Sequence, residues 1–434
     1  MKKICTLALT LISLNCFSQI TSVANGNFYF PTTWSCTCVP TSGTDDLIIN
    51  HTVTLNNDLQ LLTNGSITIN SSGSLLQDIT PRDFLLNGGD FINHGSFSID
   101  RMMGQSGSFG NTGTAAIRTF ANYADFGNSG TINNVDSLYN DGYIDNNGTI
   151  NAGTFYNNNI LDNYGSFPAV DSLTNAGTMI NYAGGVIDTD SMTNTGDFVN
   201  SGWLNTGALY NTGNYTNNNY HSFFWLTNGG VLNNIDSMIG GASMWNIEDF
   251  TNHATGVITL GGNFYNGDTL NFDASFVNDG SVEIAMSWFN VDDVSGDAPG
   301  YFIVQDSTAN LGNMTGSFDF CDLTQTAIVA PFLDFNSGTA DANITWCITV
   351  STNKISADEF TVYPNPAQES VTIQLQNSNT SALINMYDFT GKQVLSSRIE
   401  QKQSVEISAL AEGIYLLNVI QGNSVFSQPV VIVR

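Results

Sequence analysis

Between about Phe84 and Val282 the chain repeats one short pattern, apolar-x-Asn-x-Gly-x-apolar: FINHGSF, FGNSGTI, LYNDGYI, LDNYGSF, LTNAGTM, MTNTGDF, FVNSGWL, LYNTGNY and FVNDGSV. Asn128, Asn134, Asn140 and Asn146 are six apart, and Asn151, Asn157 and Asn163 resume that stride after a slip of one. Self-similarity at a short fixed period marks a solenoid, whose repeats bury their apolar faces only against neighbouring repeats. Two or three residues of strand carry one side chain inward, and Asn-x-Gly turns the chain. Glycine is expected to supply a positive φ there and asparagine to tolerate the left-handed region. Stacked coils set Asn over Asn and predict a hydrogen-bonded amide ladder.

A longer period runs through the first. Asp-Ser-Leu or Asp-Ser-Met recurs at Asp136, Asp171, Asp190 and Asp236, with Asp268-Thr269-Leu270 in the same style. The 19 residues from Asp171 to Asp190 fit one coil, and the 35 from Asp136 to Asp171 fit two. At roughly 4.8 Å of rise per coil, about ten or eleven coils make a rod on the order of 50 Å long. The expected fold class is all-β, a parallel β-helix over 81–285. Right-handed winding is favoured, although left-handed helices also use a hexad stride.

The flanks read differently. Residues 1–19 have a basic start, an apolar stretch from Ile4 to Phe17 and Ser18-Gln19 at a cleavage point, which is the pattern of a secretory signal peptide. Asn15 stands where a lipidated Cys16 would want a small residue. Residues 20–80 hold Trp34, Val39-Pro40, Asp45-Asp46 and two short strand patterns. They resemble the entry segment of bacterial β-solenoid surface proteins, which implies a cap on the first coil. Residues 286–352 lose the Asn-Gly stride and read as a closing cap, with a polar linker at Ser351–Asp358.

From 353 to 434 the pattern changes to alternation over five to eight residues, separated by Asn-Pro, Gly-Lys and Glu-Gly turns, as in a small antiparallel β-sandwich of Ig-like type. Tyr363-Pro364-Asn365-Pro366, Thr390-Gly391-Lys392 and Gly413-Ile414-Tyr415 occur in that order. On these residues the segment resembles the type A C-terminal sorting domain of Bacteroidetes proteins exported by the type IX secretion system. The resemblance implies recognition of the tail by the secretion machinery, its removal, and either attachment of the passenger to surface lipopolysaccharide or its release.

Charge narrows the partners. The chain has 38 acidic and 10 basic residues, and between Ile20 and Val350 the basic ones are Arg82, Arg101 and Arg118. Such a surface repels nucleic-acid backbones and anionic lipid. In an oxidising compartment Cys321 and Cys347, each ending a strand-like run, are expected to pair. Cys36 and Cys38 either close a tight ring or stay reduced.

Candidate chemistry is sparse. His94 and His253 follow repeat asparagines, as solvent-facing turn residues would; His51 and His221 complete the histidines, and no zinc-hydrolase motif contains them. G-x-S-x-G is absent. A polysaccharide lyase lacks cations here, whereas an inverting hydrolase needs only paired carboxylates. No cofactor or metal is called for, apart from calcium on Asp292, Asp293 and Asp297, for which a plain acidic turn is the simpler reading. Ser137, Ser172, Ser191, Ser237, Thr269 and Ser307 resemble Bacteroidetes O-glycosylation signals. Trp203, Trp225 and Trp245 offer rings to sugars, with core or turn packing the simpler reading. The expectation is a secreted, adhesin-like or structural surface protein that is not an enzyme and binds glycans or matrix proteins multivalently; a carbohydrate-active or carbohydrate-binding protein is the alternative.

Overall fold

A computed structural model describes residues 19–41, 45–268, 274–347, 360–375, 381–388, 392–421 and 424–433. The expected signal peptide apart from Gln19, the Ser351–Asp358 linker, Thr269 and Gly391 lie outside these residues. The chain divides into two compact units, Met1–Thr349 and Val350–Arg434.

The first unit is a parallel β-solenoid of about fifteen turns. Each coil crosses three sheets, and side chains alternate in and out as a pleated strand requires. Within 84–282 the first sheet stacks eleven inward residues in register: Phe91, Phe109, Phe126, Ile144, Leu161, Met179, Phe198, Tyr215, Leu232, Phe250 and Phe276. The second sheet stacks Ile187, Leu204, His221, Met238 and Ile258, and the third Phe155, Leu173, Met192, Leu209 and Leu226. Inward positions Phe126, Ile132, Leu138, Ile144 and Ile150 keep the stride of six, and Phe155 follows after five. The slip in the sequence is therefore a bend that needs one residue fewer.

The ladders extend beyond the repeat array at both ends. Ile20, Leu47 and Ile67 precede Phe91 in the first sheet, and Val294, Met314 and Ala340 follow Phe276. Residues 286–347, read as a cap, thus add rungs to the stack. Their inward apolar positions persist where the turn residues thin out. Trp34 is fully buried near the first rung, edge-on to Phe28 at 5.2 Å, and its indole N–H donates to the Phe28 carbonyl at 2.7 Å. Disulfides join Cys321 to Cys347 and Cys36 to Cys38.

Two corners carry asparagine ladders. After the first sheet, Asn93, Asn111, Asn128, Asn146, Asn163 and Asn181 hand one amide bond up each coil at 2.7–2.8 Å, and the series continues to Asn278. After the third sheet, Asn122, Asn140, Asn157 and Asn175 begin a second ladder that ends at Asn336. Most of these buried amides also reach main-chain carbonyls; Asn128 Nδ2 donates to Gly130 O at 3.3 Å and Thr149 O at 3.2 Å. Burial of a polar group is tolerated only with such partners.

The glycines of the turns act otherwise than expected. None of Gly113, Gly130, Gly148 and Gly165 has a positive φ. A Cβ on Gly130 would instead stand 2.1 Å from the carbonyl oxygen of Gly113, one coil away. At these four turns the backbones stack too closely for an added side chain, so glycine serves space there, although Ala124 and Asn159 hold the same position in other turns. Asn134 alone among the asparagines with assigned φ is left-handed, at 61°, and it belongs to neither ladder.

The second unit has a three-stranded sheet (Phe360–Tyr363, Ser370–Leu375, Lys402–Glu406) and a four-stranded one (Gln393–Glu400, Ser381–Tyr387, Gly413–Gln421, Ser424–Ile432), both antiparallel. Its core includes Val371, Ile373, Ile384, Leu417 and Val430.

Candidate functional site

Between residues 96 and 228 the third corner, between the second and third sheets, has no turn. Strands such as Thr131–Asn140 and Ser166–Asn175 run through it with a register shift. Here the Asp-Ser motif finds its place. Ser137, Thr154, Ser172 and Ser191 form one half-buried column, each paired with the next. Their aspartates Asp136, Asp171 and Asp190 lie exposed beside it. Ser237 stands in the second sheet opposite Tyr220, and Ser307 is exposed. The motif reproduces a bend, and only part of the predicted set shares one face.

Two adjoining hollows follow this corner, one lined by Asp136, Asn151, Gly153 and Asp171, the other by Asp171, Asp188 and Asp190. Burial pushes the Asp188 carboxyl above its ordinary range, and the Asp190 charge adds to the shift. The Asn205 amide, donating at 2.8 Å, opposes it.

The three arginines of the solenoid are consumed at its near end. Arg82 pairs with Asp78 at 2.9 Å, Arg101 with Asp83, and Arg118 with Asp100 at 2.6 Å and Asp136 at 3.7 Å. Hydrogen bonds from the guanidinium groups hold Asp78 and Asp100 below the usual carboxylate range. Among the described residues of 20–347, no arginine is left to meet an anionic ligand.

Trp203, Trp225 and Trp245 point outward and stack. Trp203 lies on Tyr220 at 4.5 Å. Trp225, Trp245, Tyr265 and Phe289 form a column with ring centroids 5.6, 5.0 and 5.2 Å apart and planes within 14°. Neighbouring rings therefore occupy most of the ring faces, leaving edges to solvent.

Histidines divide in the same way. His94 is exposed and within 2.6 Å of Thr112 Oγ1, His253 is half-buried, and His51 bonds Ser22 at 3.1 Å. His221 occupies an inward position of the second sheet between Leu204 and Met238. Burial drives its pKa down to about 3. Its Nε2 meets Thr206 Oγ1 at 3.1 Å, while Nδ1 and the nearby Tyr215 hydroxyl have no partner. The stride of six from Tyr215 places residue 221 inward, which is the signal that sequence reading could have used.

The proposed calcium carboxylates do not converge. Asp292 is buried and accepts from the Ala274 amide at 3.2 Å, Asp293 accepts from Asn313 at 2.8 Å, and Asp297 accepts from Ser317 at 3.2 Å. Among the described residues no three His, Cys, Asp or Glu side chains are grouped to hold a metal ion.

In the second unit the motif residues tie strands together. Asn365 Oδ1 accepts from the Val431 amide at 2.8 Å, joining positions 66 apart. Tyr363 donates to Gln374 at 3.0 Å and carries Lys402 over its ring at 5.5 Å; Pro364 and Pro366 are exposed beside it. The Lys392 amide donates to Asp388 Oδ1 at 3.1 Å. Tyr415, after Gly413 and Ile414, donates to the Ala411 carbonyl at 2.9 Å. No curated protein matches the chain. Residues 361–433 match the family model of the secretion system C-terminal sorting domain. The protein is therefore a β-solenoid passenger followed by a secretion sorting tail, and that tail marks it as secreted or displayed at the cell surface.

Proposed function

We propose that the solenoid is an adhesin-like or structural rod of the cell envelope, exported by a type IX machinery that recognises the tail, and then retained on lipopolysaccharide or released. The observation that carries this reading is repetition of outward side chains in register, as in the Ser137 to Ser191 column and the Trp225 to Phe289 stack. Columns on a rigid scaffold suit many weak contacts that add through effective concentration. The acidic surface with paired arginines favours glycans or matrix proteins over nucleic acid. O-glycosylation at the Asp-Ser sites belongs to the same proposal, and intact-mass analysis of the secreted protein tests it.

A second reading has one specific support. Asp171, Asp188 and Asp190 share a hollow, and the raised Asp188 carboxyl suits a general acid of an inverting hydrolase. The deciding experiment is binding of the full chain to glycan and matrix-protein arrays, with reducing-sugar release assayed on every hit. Binding without release supports the rod; release overturns it in favour of the hydrolase.

A further inference from the structure

The aromatic column stops abruptly at one end, and what lies next to it is a glycine-alanine pair. Trp225 is stacked on Trp245 of the following coil, so its other face is turned to the preceding coil. There its paired residue is Ala208, preceded by Gly207. A methyl group cannot cover an indole. Phe224, edge-on to Trp225 at 5.5 Å and 55% exposed, extends the same wall around the corner. One coil further, Ala208 pairs with Ser191, and Asp190 stands beside that serine. The result is a one-coil notch with an aromatic wall on one side, a Gly207-Ala208 floor, and a carboxylate and a hydroxyl on the other.

The wall and the polar side belong to coils two rungs apart, a separation of roughly 10 Å. After the thickness of the lining atoms, that leaves space for about one saturated six-membered ring. An aromatic face takes the apolar C–H face of such a ring, and Asp190 and Ser191 accept or donate to hydroxyls at its rim. Asp190, on the polar side of the notch, also lines the hollow of Asp171 and Asp188, so a further ring of the chain has polar partners along the corner. From these features we infer that the notch binds a neutral hexose unit of a polysaccharide.

The charges fix the ligand class. Uronates and sulfated sugars meet Asp171, Asp188 and Asp190 with no cation in the notch, since the arginines are paired elsewhere. A second copy of the chain would bring the same carboxylates against them. A neutral glycan carries no such cost.

This inference rests on the surface-binding reading above and names its ligand. The test is titration of the full chain with cellohexaose, maltohexaose, mannohexaose and oligogalacturonate, followed by tryptophan fluorescence and calorimetry. Ala208→Trp fills the notch by adding one ring to the stack. Trp225→Ala removes the wall, and Trp245→Ala removes a ring that is not in the notch. Expected are binding of at least one neutral oligomer and none of oligogalacturonate, a loss of at least tenfold in Ala208→Trp and Trp225→Ala with unchanged melting, and a smaller loss in Trp245→Ala. Unchanged affinity in Ala208→Trp overturns the notch while leaving the surface-binding reading in place. Binding of oligogalacturonate alone overturns the ligand class. If matrix proteins bind and no sugar does, the notch fails and the adhesin stands; if nothing binds, both fail.

Discussion

The solenoid turns its chain in two different ways. At two corners, buried asparagines stack amide on amide and glycines stack backbone on backbone, and each coil constrains the next. At the third the strand simply bends, with Val135, Ala152, Val170, Thr189, Thr206 and Phe223 filling the inside and residues from aspartate to phenylalanine outside. The asparagine corners hold the register, so the bend is free to vary. The two acidic hollows and the notch lie along it.

The sharpest test of that contrast is Asn163→Leu against Asn134→Gly, since glycine keeps the left-handed backbone at 134. The first removes the acceptor of Asn146 Nδ2 and the donor to Asn181 Oδ1, both buried, and should cost on the order of 3 kcal/mol in urea unfolding. The second lies outside both ladders and should stay within about 0.5 kcal/mol. Equal effects would mean that the ladder does not hold the register.

Acid should act on the bend side through His221. Its folded pKa is lowered to about 3 from 6.5, so its contribution is fully present above about pH 6.5 and is lost as pH falls toward 3. The loss should amount to several kcal/mol. His221→Leu should flatten that part of the pH profile in thermal melts, and an unchanged profile would show that His221 does not govern it. Next in size, Gly130→Ala should destabilise by about 2 kcal/mol, because its Cβ meets the Gly113 carbonyl. Gly127→Ala, with open space around the added Cβ, should be nearly neutral. Smallest is Asp188→Asn. The raised carboxyl pKa means that the charged form is disfavoured in the folded state, so the substitution should add a few tenths of a kcal/mol at pH 7. Calorimetry at pH 7 checks the sign.

Much of this was legible because the hexad stride is a direct image of the coil. The position of Phe126, Ile132, Leu138 and Ile144 follows from counting by six, as do the amide ladders. The function of the turn glycines was not legible, because close approach to another coil depends on stacking distance and leaves no local mark. The bend was legible only as a slip after Asn146. The notch arises from Ala208 and Trp225, 17 positions apart, which become neighbours only once the register is known. The tail was readable from short motifs, since its residues bond across the sheet edges they help to close.

The parallel pairing has a mechanical consequence. Hydrogen bonds between coils run along the axis of the stack, so tension along that axis loads the rungs in series. In such an arrangement the weakest rung yields first and the remaining coils keep their shape. A rod built this way gives length under load by shedding coils, and a surface protein pulled by flow would unwind by steps before it broke.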